Sequence, residues 1–171
     1  VLEQAIDMGV ATARRIAGEL RPPLLDDLGL PAAVAHLAER LFAPAGIDCE
    51  VALAGGEALG ETESLAVFRI LQEACSNILR HAGARRVAIR GGADGGVYRI
   101  EVVDDGCGPG AAPARAGALG IVGMQERAAL LGGTVRVEAA PGGGVRVGIA
   151  MPLPLPRAAR QNAGHDEDPA P

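Results

Sequence analysis

Apolar positions along the chain change period several times, and the changes divide it into elements. Leu2, Ala5, Ile6, Gly9, Val10, Ala13, Ile16, Ala17 and Leu20 recur at three- and four-residue steps. That spacing predicts an amphipathic helix from Val1 to about Leu20. Arg21-Pro22-Pro23 interrupts it. Leu24, Leu25, Leu28 and Leu30 form a short apolar cluster around Asp26 and Asp27. A second helix is predicted from Pro31 to about Phe42, with proline in its first turn and Pro44 and Gly46 at its end.

The pattern then becomes mixed. Ile47 to Leu53 alternates as a strand, and Ala54 to Gly56 reads as a turn. Thr62 is the expected cap of a long helix running to about Ala82, which Gly83 stops. Arg86 to Arg90 and Val97 to Val103 read as strands joined by a glycine-rich hairpin. Asp104 to Gly117 reads as a loop, and Leu119 to Leu131 as a helix. Thr134 to Glu138 and Val145 to Met151 read as strands, with Pro141 and three glycines turning between them. From Pro152 onward proline, alanine and acidic residues predict disorder. The order helix–helix, then β-α-β-β-loop-α-β-β, predicts an α+β fold: a mixed sheet with helices layered on one face.

Composition narrows the function. The chain has 171 residues, 49% of them hydrophobic and only 2% aromatic, so its core is built from Ala, Val, Leu and Ile. Its 16 basic residues are all Arg, against 21 acidic ones, for a net charge of −5. Without a single Lys it cannot be a Walker A nucleotide-binding protein, a Ser/Thr-type protein kinase or a pyridoxal enzyme. An acidic chain without basic clusters is also a poor nucleic-acid binder. Cys49, Cys75 and Cys107 stand far apart with no CxxC pair, as expected of a reduced, cytoplasmic chain. No apolar run approaches the ~18 residues of a membrane span. The chain opens at Val1 in mid-pattern and reads as a piece of a longer protein, with any membrane or sensor part upstream.

Three places carry candidate chemistry. On the long helix, Glu73, Asn77, Arg80 and His81 share one face, while Phe68, Leu71, Cys75, Ile78, Leu79 and Ala82 cover the other. A merely solvated polar stripe would look similar, but an Asn carbonyl is also a good ligand for a hard cation such as Mg²⁺. Asp104 follows an apolar strand and precedes Gly106, Gly108 and Gly110. A carboxylate there can accept a hydrogen bond from a flat ligand's amine, and the glycines let that ligand approach the backbone. The same run also fits a dinucleotide-binding GxGxxA pattern, but Pro109 and Pro113 oppose the helix that site requires. Gly117, Gly120 and Gly123 lead into a helix whose N-terminal N–H groups could cradle phosphate.

Together these residues resemble a known family. Glu73-x-x-x-Asn77-x-x-x-His81, Asp104-x-Gly106-x-Gly108 and the run Gly117 to Gly123 resemble the N, G1 and G2 boxes of the GHKL, or Bergerat-fold, ATP-binding domain. Glu19 to Leu30 resembles the end of the dimerisation domain in nitrate-sensor-type histidine kinases, and Gly123-Met124-Gln125-Glu126-Arg127, ending in Leu131-Gly132-Gly133, is similar to a run typical of the same subfamily. The resemblance implies a Bergerat-type α/β sandwich over residues 44–152, a dimerisation remnant and connecting helix over 1–43, and a disordered tail over 153–171. By matched position it implies that Asp104 binds the adenine amine, Asn77 holds Mg²⁺ and Glu73 positions the γ-phosphate region of ATP. Arg80 and His81 would approach the phosphates, Gly106 and Gly108 would flank the base, and Gly117, Leu119, Gly120 and Gly123 would border the triphosphate.

The implied activity is transfer of the γ-phosphoryl group of Mg·ATP to a histidine, then on to a response regulator, by a protein that dimerises at full length. His36, His81 and His165 do not stand where such kinases keep their acceptor, which is expected upstream of Val1. Two rival readings are an anti-sigma-type Ser/Thr kinase on the same fold and a non-enzymatic nucleotide-sensing dimer module. Cys107 reads as a small filler residue.

Overall fold

The computed structural model describes residues 23–108 and 118–154. The expectations for the helix over 1–20, for Gly117 and for the tail from residue 155 lie outside the described residues.

Helix α1 spans Pro23–Phe42, longer than the periodicity predicts. It is two helical pieces meeting at Gly29, whose φ of 76° and ψ of 177° are non-helical. That backbone region is open almost only to glycine. Pro31 follows the break directly, where a missing N–H breaks no helical hydrogen bond. Leu30, Ala33, Val34, Ala38 and Phe42 of the second piece are buried at helical spacing.

Strand β1 (Asp48–Leu53) leads through a 3-10 turn at Gly56–Ala58 into helix α2 (Glu61–Asn77). Thr62 does not cap α2. The N-cap is Gly60, without a side-chain hydrogen bond, and Thr62 lies exposed inside the first turn. Glu61 and Glu63 place negative charge at the positive end of the helix dipole. The helix does not run on as α-helix to Ala82: Ile78–Ala82 form a π-helical turn, ended by Gly83 in the left-handed region. An i→i+5 turn moves later side chains around the axis relative to α-helical spacing. Leu79, expected on the packed side, is accordingly exposed, while Ile78 and Ala82 stay buried.

Strands β2 (Arg86–Asp94) and β3 (Val97–Asp104) form a hairpin around Gly95-Gly96, the two-residue loop such hairpins favour. Helix α3 (Ala118–Ala129) precedes β4 (Thr134–Ala139) and β5 (Val145–Pro152). The sheet order is β1-β2-β3-β5-β4, with β1 and β2 parallel and every other pair antiparallel. The mixed sheet with helices on one face is the α+β layering the element order predicts.

Register makes the layering explicit. Val51, Ile89, Val102, Val147 and Val137 lie in one cross-strand row, and Leu53, Gly91, Ile100, Ile149 and Val135 in the next. These rows meet α1, α2 and α3 in one core. The alternate positions Arg90, Arg99, Glu101 and Arg136 are exposed on the other face.

Gly29→Ala should lower stability by about 1–3 kcal/mol, the usual cost of an L-residue in that backbone region. No atom lies within 4 Å of the added methyl, so the cost is purely conformational. Urea unfolding measures it, and a wild-type midpoint would show that α1 does not break at Gly29.

Candidate functional site

Asp104 ends strand β3 in the row of core residues, opposite Val87. Alternation along β3 points it inward with Val102 and Ile100, and it is only 3% exposed. It is the only charged side chain buried among the described residues. An unpaired charge there would be costly, and two backbone amides offset part of that cost. Gly106 N–H donates to Oδ1 at 2.8 Å, and Val145 N–H donates to Oδ2 at 3.3 Å. Burial pushes the carboxyl above the ordinary carboxylate range, these two hydrogen bonds pull it back in part, and the charge of Asp105 adds to the rise. Each oxygen keeps acceptor capacity beyond its one amide.

Asp105, the next residue, has the opposite environment. It is exposed, and its Oδ1 accepts N–H bonds from Arg85 at 2.7 Å and Arg86 at 2.8 Å. Those bonds, aided by the Arg86 guanidinium, hold its carboxyl below the usual range. The turn after β3 is tied to the end of the π-helical turn as well. Cys107 N–H donates to Ala82 O at 2.9 Å, and its thiol lies 3.4 Å from His81 O. Gly106 backs directly onto the Ala82 carbonyl.

The polar face of α2 lies along the same edge of the domain. Glu73 and Asn77 are half-buried. Gly120 of α3 sits against them: a Cβ there would lie 2.5 Å from Glu73 Oε1 and 3.4 Å from Asn77 Nδ2. His81 is half-buried, and its Nε2 is enclosed with no hydrogen-bond partner among the described residues. Arg80 is exposed, and its guanidinium turns back to Ser76 Oγ, with Nε at 3.1 Å. The structure thus brings Glu73, Asn77 and Gly120 together, and separately joins Asp104, Gly106 and the His81–Ala82 backbone. Gly108 packs on the β4–β5 hairpin, where a Cβ would lie 3.4 Å from Gly144 O. Leu119 is 82% exposed, no atom closes on the Cβ direction of Gly123, and Gly117 is outside the described residues.

Three contributors escape the sequence pattern. Val145 supplies an amide to Asp104 from 41 residues away. Gly144 passes so close to Asp104 that a Cβ would overlap the Asp104 carbonyl. Asp105 reads as the second letter of a turn. The triple glycine before β5 was visible as a turn, but nothing local ties it to Asp104.

Residues 62–155 match the family described as histidine kinase-, DNA gyrase B-, and HSP90-like ATPase. The sensor histidine kinase MctS of Rhizobium johnstonii is 34% identical over 144 residues, covering 82% of this chain and 31% of the relative. UhpB of Salmonella typhimurium, a signal transduction histidine-protein kinase/phosphatase, is 34% identical over 154 residues, covering 88% and 30%. The solved ATP-binding domain of PrrB from Mycobacterium tuberculosis shares the fold with a TM-score of 0.54 at 23% identity, over 73% of this chain and 92% of that one. The chain belongs to this ATPase family, and its sheet and helices form the Bergerat sandwich of histidine kinase catalytic domains. It spans about a third of the length of the curated relatives it matches.

The raised Asp104 carboxyl has a consequence for stability. The folded chain holds that proton to higher pH than the unfolded chain, whose carboxyl titrates near 3.9, about the unperturbed value. Over that interval the folded state binds more protons, so the Asp104 contribution falls as pH rises. The stability of wild type relative to Asp104→Asn should therefore decline from about pH 4 toward neutrality. Urea unfolding of both proteins across that range checks it, and a pH-independent difference would contradict the burial effect.

Proposed function

We propose that this chain is the ATP-binding catalytic module of a sensor histidine kinase. It would transfer the γ-phosphoryl group of Mg·ATP to a histidine, for relay to a response regulator. The observation that carries the reading is the buried Asp104 carboxylate. It stands at the end of a core strand, keeps acceptor capacity and is flanked by a turn and a hairpin that only glycine backbone can bring so close. Such a group suits a neutral, planar donor such as the adenine amine, because a hydrogen bond to a buried anion is strong.

The residues present fit Mg·ATP. The enclosed Nε2 of His81 lacks a partner, and no hydrogen bond engages the side chain of Asn77 among the described residues. No cluster of three or more His, Cys, Asp or Glu among the described residues could hold a metal by itself. This suits Mg²⁺, which keeps waters and shares phosphate oxygens with few protein ligands. Bound as Mg·ATP, the nucleotide supplies the phosphoryl group and the metal neutralises its charge.

In this reading Asp104 orients the base, and Gly106 and Gly108 flank it. Asn77 offers its carbonyl oxygen to Mg²⁺. Glu73 positions the γ-phosphate region, with Arg80 and His81 toward the phosphates. Gly117, Leu119, Gly120 and Gly123 border the triphosphate. Catalysis is then mainly positioning and charge stabilisation. In this reading residues 44–152 would be the ATP-binding domain and residues 1–43 the end of a dimerisation element with its connecting helix, whose described part, α1, packs into the same core. The full protein would be a homodimer acting in the cytoplasm on its response regulator. Within the described residues no helix is long and apolar enough to cross a membrane. The kinase names of the relatives favour this reading over an anti-sigma-type kinase or a nucleotide sensor.

Two substitutions test separate parts of the reading. Asp104→Ala should weaken ADP binding by roughly 10- to 100-fold, as loss of a hydrogen bond to a charged group predicts. Asn77→Ala should reduce Mg²⁺-dependent ATP binding and leave metal-free binding nearly intact. Calorimetry with and without Mg²⁺ reads both. Unchanged ADP affinity in a folded Asp104→Ala protein would end the adenine assignment, and equal losses in both metal states would make Asn77 structural.

A further inference from the structure

The two adjacent carboxylates after β3 divide their work. We propose that Asp105 is a positioning residue for nucleotide recognition: it fixes the turn that aims Asp104 by clamping it to the backbone where β2 begins. This rests on the reading of Asp104 as the adenine-binding carboxylate.

The geometry is specific. One oxygen of Asp105 accepts both the Arg85 and Arg86 amides, and Asp105 N–H donates back to Arg86 O at 3.2 Å. Arg85 and Arg86 lie just beyond Gly83, which ends the π-helical turn carrying His81. The clamp therefore joins the end of β3 to the chain leaving the α2 face. Two residues further on, Cys107 N–H bonds Ala82 O and closes a second link between the same two segments. Between the links sits Gly106, whose amide is one of the two that hold Asp104. Shifting Gly106 would move that amide and rotate the Asp104 carboxylate away from its line to a bound base. Asp105 itself is exposed and makes its bonds to the backbone, so it acts through Asp104.

Selectivity separates this role from general destabilisation. A carboxylate aimed at the base discriminates adenine, which offers an amine, from guanine, which offers a carbonyl oxygen at that edge. Loss of aim lowers the ADP-over-GDP preference, whereas a smaller folded fraction lowers both affinities in proportion and leaves their ratio alone.

The experiment measures ADP and GDP dissociation constants by calorimetry on the full 171-residue chain, with folding checked by circular dichroism. Asp105→Ala should weaken ADP about tenfold, the scale of a lost charged hydrogen bond, and lower the preference ratio Kd(GDP)/Kd(ADP). Asp105→Asn retains a carbonyl oxygen able to accept both amides and should restore the ratio. If Asp105→Ala does not fold, Asp105→Ser takes its place, since its shorter hydroxyl reaches one amide at most, and an intermediate ratio is expected. Asp104→Ala is measured alongside. If it collapses the ratio while Asp105→Ala (or Asp105→Ser) keeps the wild-type value, the positioning role is overturned and the adenine reading stands. An Asp105→Asn protein as unselective as Asp105→Ala also overturns it. If Asp104→Ala leaves the ratio unchanged, the adenine reading fails and the proposal falls with it.

Discussion

A carboxylate placed in an apolar row of a sheet must be met by donors or lose its charge, and much of the functional edge of this domain follows from Asp104 being there. Its two amides come from very different distances along the chain. Gly106 lies two residues away and Val145 lies at the start of the last strand. To deliver the second amide, the β4–β5 hairpin has to fold over the end of β3. Gly144 then passes so close that no side chain fits between it and Asp104. Carbon-only packing would be simpler there, and the burial of a charge at that position is what supports the proposed ligand site.

The helices are arranged around the same edge. Helix α2 turns its apolar side, from Ala66 to Cys75, onto the core and leaves Glu73 and Asn77 toward α3. Gly120 lets α3 come within reach of both side chains. A larger residue there would displace the Glu73 carboxylate, the flexible partner of that contact. With 2% aromatic residues, the core reaches its density through Ala, Val, Leu and Ile, and through helices and strands that approach closely.

Periodicity made the elements and their layering legible, because strands β2, β3 and β5 alternate and α2 has a clear apolar stripe. It also put Glu73 and Asn77 on one face. Three things were hidden, each for its own reason. The break in α1 depends on one backbone angle at Gly29, within a leucine-rich stretch that reads as a cluster. The π-helical turn at Ile78–Ala82 changes the angular step, so an α-helical wheel put Leu79 on the wrong side. The hold of Val145 on Asp104 spans 41 residues, and no local pattern encodes it. What local sequence did convey of the candidate site was the carboxylate and the glycines; how they are held is a property of the assembled sheet.

That long reach sets a condition on when the Asp104 pocket can exist. The segment from β1 through β2, with α2 between, could collapse early around its own apolar side chains. The carboxylate pocket could not exist then, since Asp104 waits for β3 and its second amide waits for β5, nearly the last strand residue pairings to form along the chain. Non-local pairings of this kind form late because loop closure precedes their reward. If Asp104 holds the nucleotide as proposed, a newly made chain would be unable to bind through it until its final strand had docked, and binding competence would mark the completion of the fold.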